Sequence, residues 1–221
     1  MLELVTTPSR SRGRPPVPLD RIIAAAIEIL DGGGGDALSM RSLAQRLDSG
    51  TATLYRHFSG RADLIARVVD AVMGEVNVDT GIFTSLPWQQ ACETLARSMF
   101  DVLCRHPHVA PLMMDPVPVG PHMLTLRERA LAVLLAAGFP PPLALRAWAT
   151  VARYVLGIAL QLTAPDGGQP QLAEWAEVDL THFPATVAVA EHVPVSLDSE
   201  FEFGLELLIG GLQARLAHHE G

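Results

Sequence analysis

Hydrophobic positions recur along this chain at the spacing of helical turns, and clusters of glycine, proline and aspartate cut the pattern into segments. Between Ser39 and Leu47, the residues Met40, Leu43, Ala44 and Leu47 fall at i, i+3, i+4 and i+7, one helical stripe with Arg41, Gln45 and Arg46 off it. Ser39 stands where an N-cap hydroxyl accepts a first-turn N–H. Asp48, Ser49 and Gly50 supply turn chemistry, with Asp48 able to take a left-handed conformation. A second helix is expected from Thr51 to Phe58, with Leu54 and Phe58 turned inward and Thr51, Thr53, Tyr55 and Arg56 on other faces. Two short helices about a tight turn would present those polar groups from a rigid support.

The flanking segments extend the helical pattern. Upstream, Asp20 is expected to cap a helix to about Leu30 with Ile23, Ala26, Ile27 and Leu30 buried. The run Gly32 to Gly35 ends it, and four glycines predict a loose joint. A phosphate-cradling reading of that run lacks the following lysine and the preceding strand. Downstream, from Ala62 to about Val76, Leu64, Ile65, Val68, Val69, Val72 and Val76 form a face wider than a three-helix head requires. That helix is expected to touch the rest of the chain and to swing the head when its C-terminal end moves. Residues 77–87 read as a linker; further helices are predicted at about 88–105, 121–137, 142–163 and 198–218, broken by proline and glycine.

Composition narrows the classes. Of 221 residues, 49% are hydrophobic and 18% charged, which supports a packed core and excludes wholesale disorder. No apolar stretch reads as a membrane span, and the N-terminus lacks the layout of a secretory signal. Two cysteines are too few for a disulfide framework, so a cytoplasmic location is expected. The net charge of -8 is unevenly spread: residues 1–67 hold nine arginines against seven acids, and the rest holds seven against seventeen. An acidic body is repelled by DNA, which confines any nucleic-acid contact to the N-terminal part. Residues 1–18 read as a disordered arm whose Arg10, Arg12 and Arg14 suit an A·T minor groove, or else form a solvated basic tail.

The stretch LSMRSLAQRL at 38–47, TLYRHF at 53–58 and Arg61 resembles the helix-turn-helix of the tetracycline-repressor (TetR) family of transcription regulators. The resemblance implies an all-α fold: a three-helix DNA-binding head at 19–76 and a larger effector-binding and dimerisation domain at 77–221. It places the second helix in the major groove. It implies DNA contacts from Ser39, Arg41, Gly50, Thr51, Ala52, Thr53, Tyr55, Arg56, His57 and Arg61, with Arg61 on a phosphate and Arg12 and Arg14 adding arm contacts. The chain departs from the family in the turn, where Asp48-Ser49-Gly50 replaces the usual Gly-Val-Ser or Gly-Val-Thr. From Trp88 onward, three further stretches are similar to the family's all-helical C-terminal domain, with two helices paired across a two-fold axis.

Several residues are candidates for that second function. Leu145, Ala149, Ala152 and Leu156 on one helix, and Phe201, Gly204, Leu208, Gly211 and Leu212 on the other, are expected at a homodimer interface; the alternative buries both helices within one protomer. Met99, Leu103, His108, Leu112, Met113, Asp115, His122, Trp148, Arg153 and Trp175 are expected around a mostly apolar effector cavity, or else belong to ordinary core and loop. Leu112 falls where tetracycline repressor has its metal-contacting histidine, so tetracycline with magnesium is not the expected ligand. Cys104, His106 and His108 lack a metal-ligand spacing, and neither a cofactor nor a catalytic constellation is expected. The sequence reads as a ligand-responsive repressor that binds a palindromic operator as a homodimer. The alternatives are a constitutive DNA-binding dimer without effector and an all-helical enzyme or binding protein.

Overall fold

The computed structural model describes residues 17–77, 83, 85–114, 120–163 and 179–219, and among them there is no β-strand. The arm with Arg12 and Arg14, together with Asp115 and Trp175, lies outside the described residues. Three helices build the head: α1 (Leu19–Ala37), α2 (Met40–Arg46) and α3 (Thr51–Leu54). Helix α4 (Arg61–Met73) leads into a body made of α5 (Trp88–Arg105), α6 (Val109–Leu112), α7 (Pro121–Ala136), α8 (Pro141–Ala159), α9 (Pro184–Val189) and α10 (Leu197–Ala217). The long body helices match the sequence expectation within one or two residues, except that α8 ends at Ala159 and continues to Thr163 as a 3-10 helix, whereas α6 and α9, only 4 and 6 residues long, carry too little periodicity to be read in advance.

Three expectations for the head need correction. Pro18, not Asp20, is the N-cap of α1, and Asp20 lies in its first turn, where its charge complements the helix dipole. The buried stripe is Ile22, Ala25, Ala26 and Leu30, with Ile23 and Ile27 half-buried beside it. Helical structure also runs on into the glycines, and the break comes at Gly34, with φ of 72°. The glycines serve close approach as well as chain reversal. A Cβ on Gly35 would lie 3.1 Å from the Leu112 side chain, and one on Gly34 would lie 3.5 Å from the His108 ring. The joint is therefore where body helix α6 presses on α1, the opposite of the loose connection that four glycines suggested.

Helix α4 carries the broad face its sequence predicted. Leu64, Val68, Val69, Val72 and Met73 are buried in one contiguous apolar core that spans the head and the body. The helix packs on α1 in the head and on α5, α6 and α7 in the body. Phe83, within the segment read as a linker, is helical and buried in the same core. The segment Pro141–Thr163, α8 with its 3-10 extension, is long and apolar enough to cross a membrane by composition. Here it packs against α5, α7 and α10.

Candidate nucleic-acid interface and body cavities

Helices of 7 and 4 residues cannot hold themselves together in water, so the reading unit depends on specific anchors. Ser39 and Ser42 form a reciprocal capping box: Ser42 N–H donates to Ser39 Oγ at 3.0 Å and Ser39 N–H donates to Ser42 Oγ at 2.9 Å. The Ser42 hydroxyl also donates to the Ala37 carbonyl at 2.7 Å, tying the start of α2 to the end of α1. Asp48 has φ of 47°, the left-handed conformation expected of it, and Ser49 N–H donates to the Ala44 carbonyl at 2.9 Å to close the turn. Leu54 and Phe58 are buried, and Arg67 lies over the Phe58 ring at 5.5 Å. Helix α3 stops at Leu54, shorter than expected, and Tyr55 to His57 form turns that still deliver Phe58 to the core.

Arg41, Gly50, Thr51, Ala52, Tyr55 and Arg56 are exposed, while Ser39, Thr53 and His57 are half-buried. Tyr55 is 59% exposed, a large ring held on the surface with no apolar cover. Arg61 is exposed but engaged. Its Nε donates to the Leu38 carbonyl at 3.0 Å and its Nη2 to the Gly35 carbonyl at 2.7 Å, so it caps the end of α1. That structural duty was not visible in the sequence, because the three residues are brought together only by folding.

The body places the expected cavity residues in three different surroundings. Met99 and Trp148 line a narrow apolar crevice with Cys92, Leu95, Ala130, Leu134, Val151 and Leu212, with space for roughly one water. Burial there pushes the Cys92 thiol up to about 12, reinforced by the adjacent Glu93. Leu103 is buried in the core, Met113 packs against it from a half-buried position, and Arg153 is exposed on α8. His108 and Leu112 lie against the glycines of α1.

His122 is held by Asp70. Its backbone N–H donates to Asp70 Oδ1 at 3.1 Å, that of Met123 donates to the same atom at 3.0 Å, and the His122 Nδ1 lies 3.0 Å from Oδ2. Asp70, the buried charged residue of α4, thus caps the N-terminus of α7 across the head–body seam. Gly120 permits this approach, since a Cβ there would fall 2.1 Å from Asp70 Cγ. A second polar seam joins α1, α4 and α5: His106 lies between Asp31 at 2.9 Å and Glu75 at 3.3 Å, and Arg105 pairs with Glu75. Burial raises the Glu75 carboxyl, but hydrogen bonds from Arg105 and His106 outweigh it and hold the group below its ordinary value.

Most of the expected interface residues on α10 face inward. Phe201 is 2% exposed and stacks on Phe100 with ring centroids 4.2 Å apart. Gly204 lies against Tyr154 of the same protomer, where a Cβ would come 2.1 Å from the hydroxyl oxygen. Leu208 is half-buried, and Leu212 lines the crevice. The outward apolar positions of α10 are Phe203, 64% exposed, and Leu207, 60% exposed, with Gly210, Gly211 and Ala214 on the same side. On α8, Leu145 is exposed and Ala149, Ala152 and Leu156 are half-buried along one face.

This geometry has close relatives. The family described as bacterial regulatory proteins, tetR family, matches residues 22–68, and the tetracyclin repressor-like C-terminal domain matches residues 85–216. The chain belongs to the TetR family. It is therefore a DNA-binding regulator of transcription and not an enzyme. An HTH-type transcriptional regulator of Saccharopolyspora erythraea is 31% identical over 93% of this chain and 88% of its own length. The HTH-type transcriptional repressor DrrR1 of Streptomyces coeruleorubidus is 29% identical over 100% and 87% respectively. Apo ActR of Streptomyces coelicolor superposes with a TM-score of 0.80 at 31% identity, covering 94% of this chain and 100% of ActR. ActR has also been solved with actinorhodin, with a TM-score of 0.78 at 32% identity over 91% of this chain and 99% of that one.

Proposed function

We propose that this TetR-family regulator represses transcription in the cytoplasm as a homodimer on a palindromic operator and is released by a small apolar or amphipathic effector. The observation that carries the dimer is the exposure of large apolar side chains on both long helices, Phe203 and Leu207 on α10 and Leu145 on α8, each at least 46% exposed. Large apolar side chains left exposed on two adjacent long helices are the usual mark of an association surface. A two-fold pair sets its reading helices about 34 Å apart, the pitch of successive major grooves. The DNA contacts fall to Arg41, Thr51, Ala52, Thr53, Tyr55, Arg56 and His57, with Gly50 letting backbone approach, and to Arg12 and Arg14 in the arm. Arg61 contributes through its hold on the end of α1, with its remaining donors available to a phosphate.

The named repressor DrrR1 and the solved complex of ActR with actinorhodin support repression and ligand response for this chain. The effector acts only to the extent that it binds one head spacing more tightly than the other. Selection of bound fragments from random DNA, combined with light-scattering mass, tests the reading directly. An enriched inverted repeat bound by two chains is expected; a monomer on an asymmetric site would overturn it. Tyr55→Ala is expected to weaken operator binding about tenfold or more with melting unchanged. Unaltered affinity would remove Tyr55 from the interface.

A further inference from the structure

A second cavity in the body has a chemistry unlike its surroundings. A cleft of about 480 Å3 opens between the N-terminal half of α8 and the last turn of α10. Its floor is Leu143, Ala147 and Leu212, and its walls carry Arg146, Thr150 and Arg215, with His218 and His219 closing one end. Among the described residues no carboxylate lines it, although the chain beyond residue 67 carries seventeen acids against seven arginines. Arg146 spends its Nε on the Pro142 carbonyl at 3.2 Å, and among the described residues neither Arg146 nor Arg215 forms an ion pair. Ala147 and Leu212 line both this cleft and the apolar crevice, so these two side chains stand between them.

We infer that this cleft and crevice together bind an amphipathic carboxylate, with the anionic head on Arg146 and Arg215 and the apolar tail directed past Ala147 and Leu212 toward Trp148. Guanidinium groups pair with carboxylates through parallel hydrogen bonds and lose little on partial desolvation. The volume is that of a small-molecule site, and the apolar floor excludes a purely hydrophilic anion. The crevice as it stands has room for roughly one water, so tail entry must part α8 from α10 at Leu212. Arg146 lies about 100° around the helix from Leu145, so the two side chains leave α8 on different sides. The inference rests on the proposed effector response and names its ligand class.

Isothermal calorimetry on the full chain with decanoate, below its micelle concentration, tests it against decanol and acetate. Saturable binding of one decanoate per chain is expected, with decanol weaker and acetate without saturable binding. The double variant Arg146→Gln/Arg215→Gln, both surface positions, is expected to lose more than about tenfold in decanoate affinity and nothing in decanol affinity. Leu212→Trp is expected to lower decanoate affinity with the basic wall intact; each variant is checked by thermal melting. Equal binding of decanoate and decanol, no decanoate binding, or either variant binding like the parent chain would overturn the inference. Operator binding measured on the same samples separates the two readings: intact DNA binding with no carboxylate binding sinks this inference alone, whereas absent DNA binding sinks the proposed function alone.

Discussion

The head and the body solve the same packing problem by different means. The reading unit has helices of 7 and 4 residues, too short to bury much apolar surface, and it is held by the Ser39–Ser42 capping box, the left-handed Asp48 and the hydrogen bonds of Arg61. The body's long helices, α5, α7, α8 and α10, run 16 to 21 residues and rely on buried rings and aliphatic side chains, such as Phe201 on Phe100 and Trp88 edge-on to Phe139 at 4.9 Å. Polar anchors fix orientation with little material. Apolar burial supplies stability but leaves room for helices to slide, which suits a region that must adapt to a ligand.

The contrast can be broken by changing each region in its own terms. Phe201→Ala removes a fully buried ring and is expected to cost about 3–5 kcal/mol in chemical unfolding. A loss below about 1 kcal/mol would mean that the body does not depend on that stack. Asp70→Ala leaves the N-terminal amides of α7 without their acceptor and is expected to cost about 2–3 kcal/mol. A unit loss of that size at the seam, measured by the same unfolding curves, would place it between the two regions. Ser39→Ala removes one half of the capping box and is expected to cost about 1 kcal/mol, together with a fall in operator affinity; stability lost without affinity would uncouple the cap from reading.

The smallest effect concerns pH. The Glu75 carboxyl titrates below its ordinary value of 4.5 in the folded chain, so its contribution is complete above that value. It is lost as the pH falls through the lower, folded value. Acidification is therefore expected to loosen the α1–α4–α5 seam, read as faster amide exchange in α1, and Glu75→Gln should remove that pH dependence. Identical exchange profiles for the two chains would discard Glu75 as the cause.

Sequence periodicity located the long helices, because each carries enough turns for an apolar stripe to repeat. It also identified the reading unit, since Ser39, Asp48, Leu54 and Phe58 announce a cap, a turn and two anchors through local chemistry. What it missed was rotation and partnership. Phe201 and Leu212 belong to a stripe, but α10 has apolar residues on both sides, and only contact with Phe100 and Tyr154 decides which side faces in. His108, Leu112 and His122 were expected near a cavity because polar and apolar groups mix between helix breaks. Their partners, Gly34, Gly35 and Asp70, lie far back in the chain, and no local pattern links them.

Because the apolar core passes without interruption through α4, the boundary between the two regions is functional and not mechanical. Severing the chain after residue 76 would leave Val69, Val72 and Met73 as a bare flank on an otherwise polar fragment, prone to clump. An engineer grafting this reading head onto another sensor would have to supply a new greasy neighbour for that flank, or recast it in charged residues, before asking which DNA it recognises.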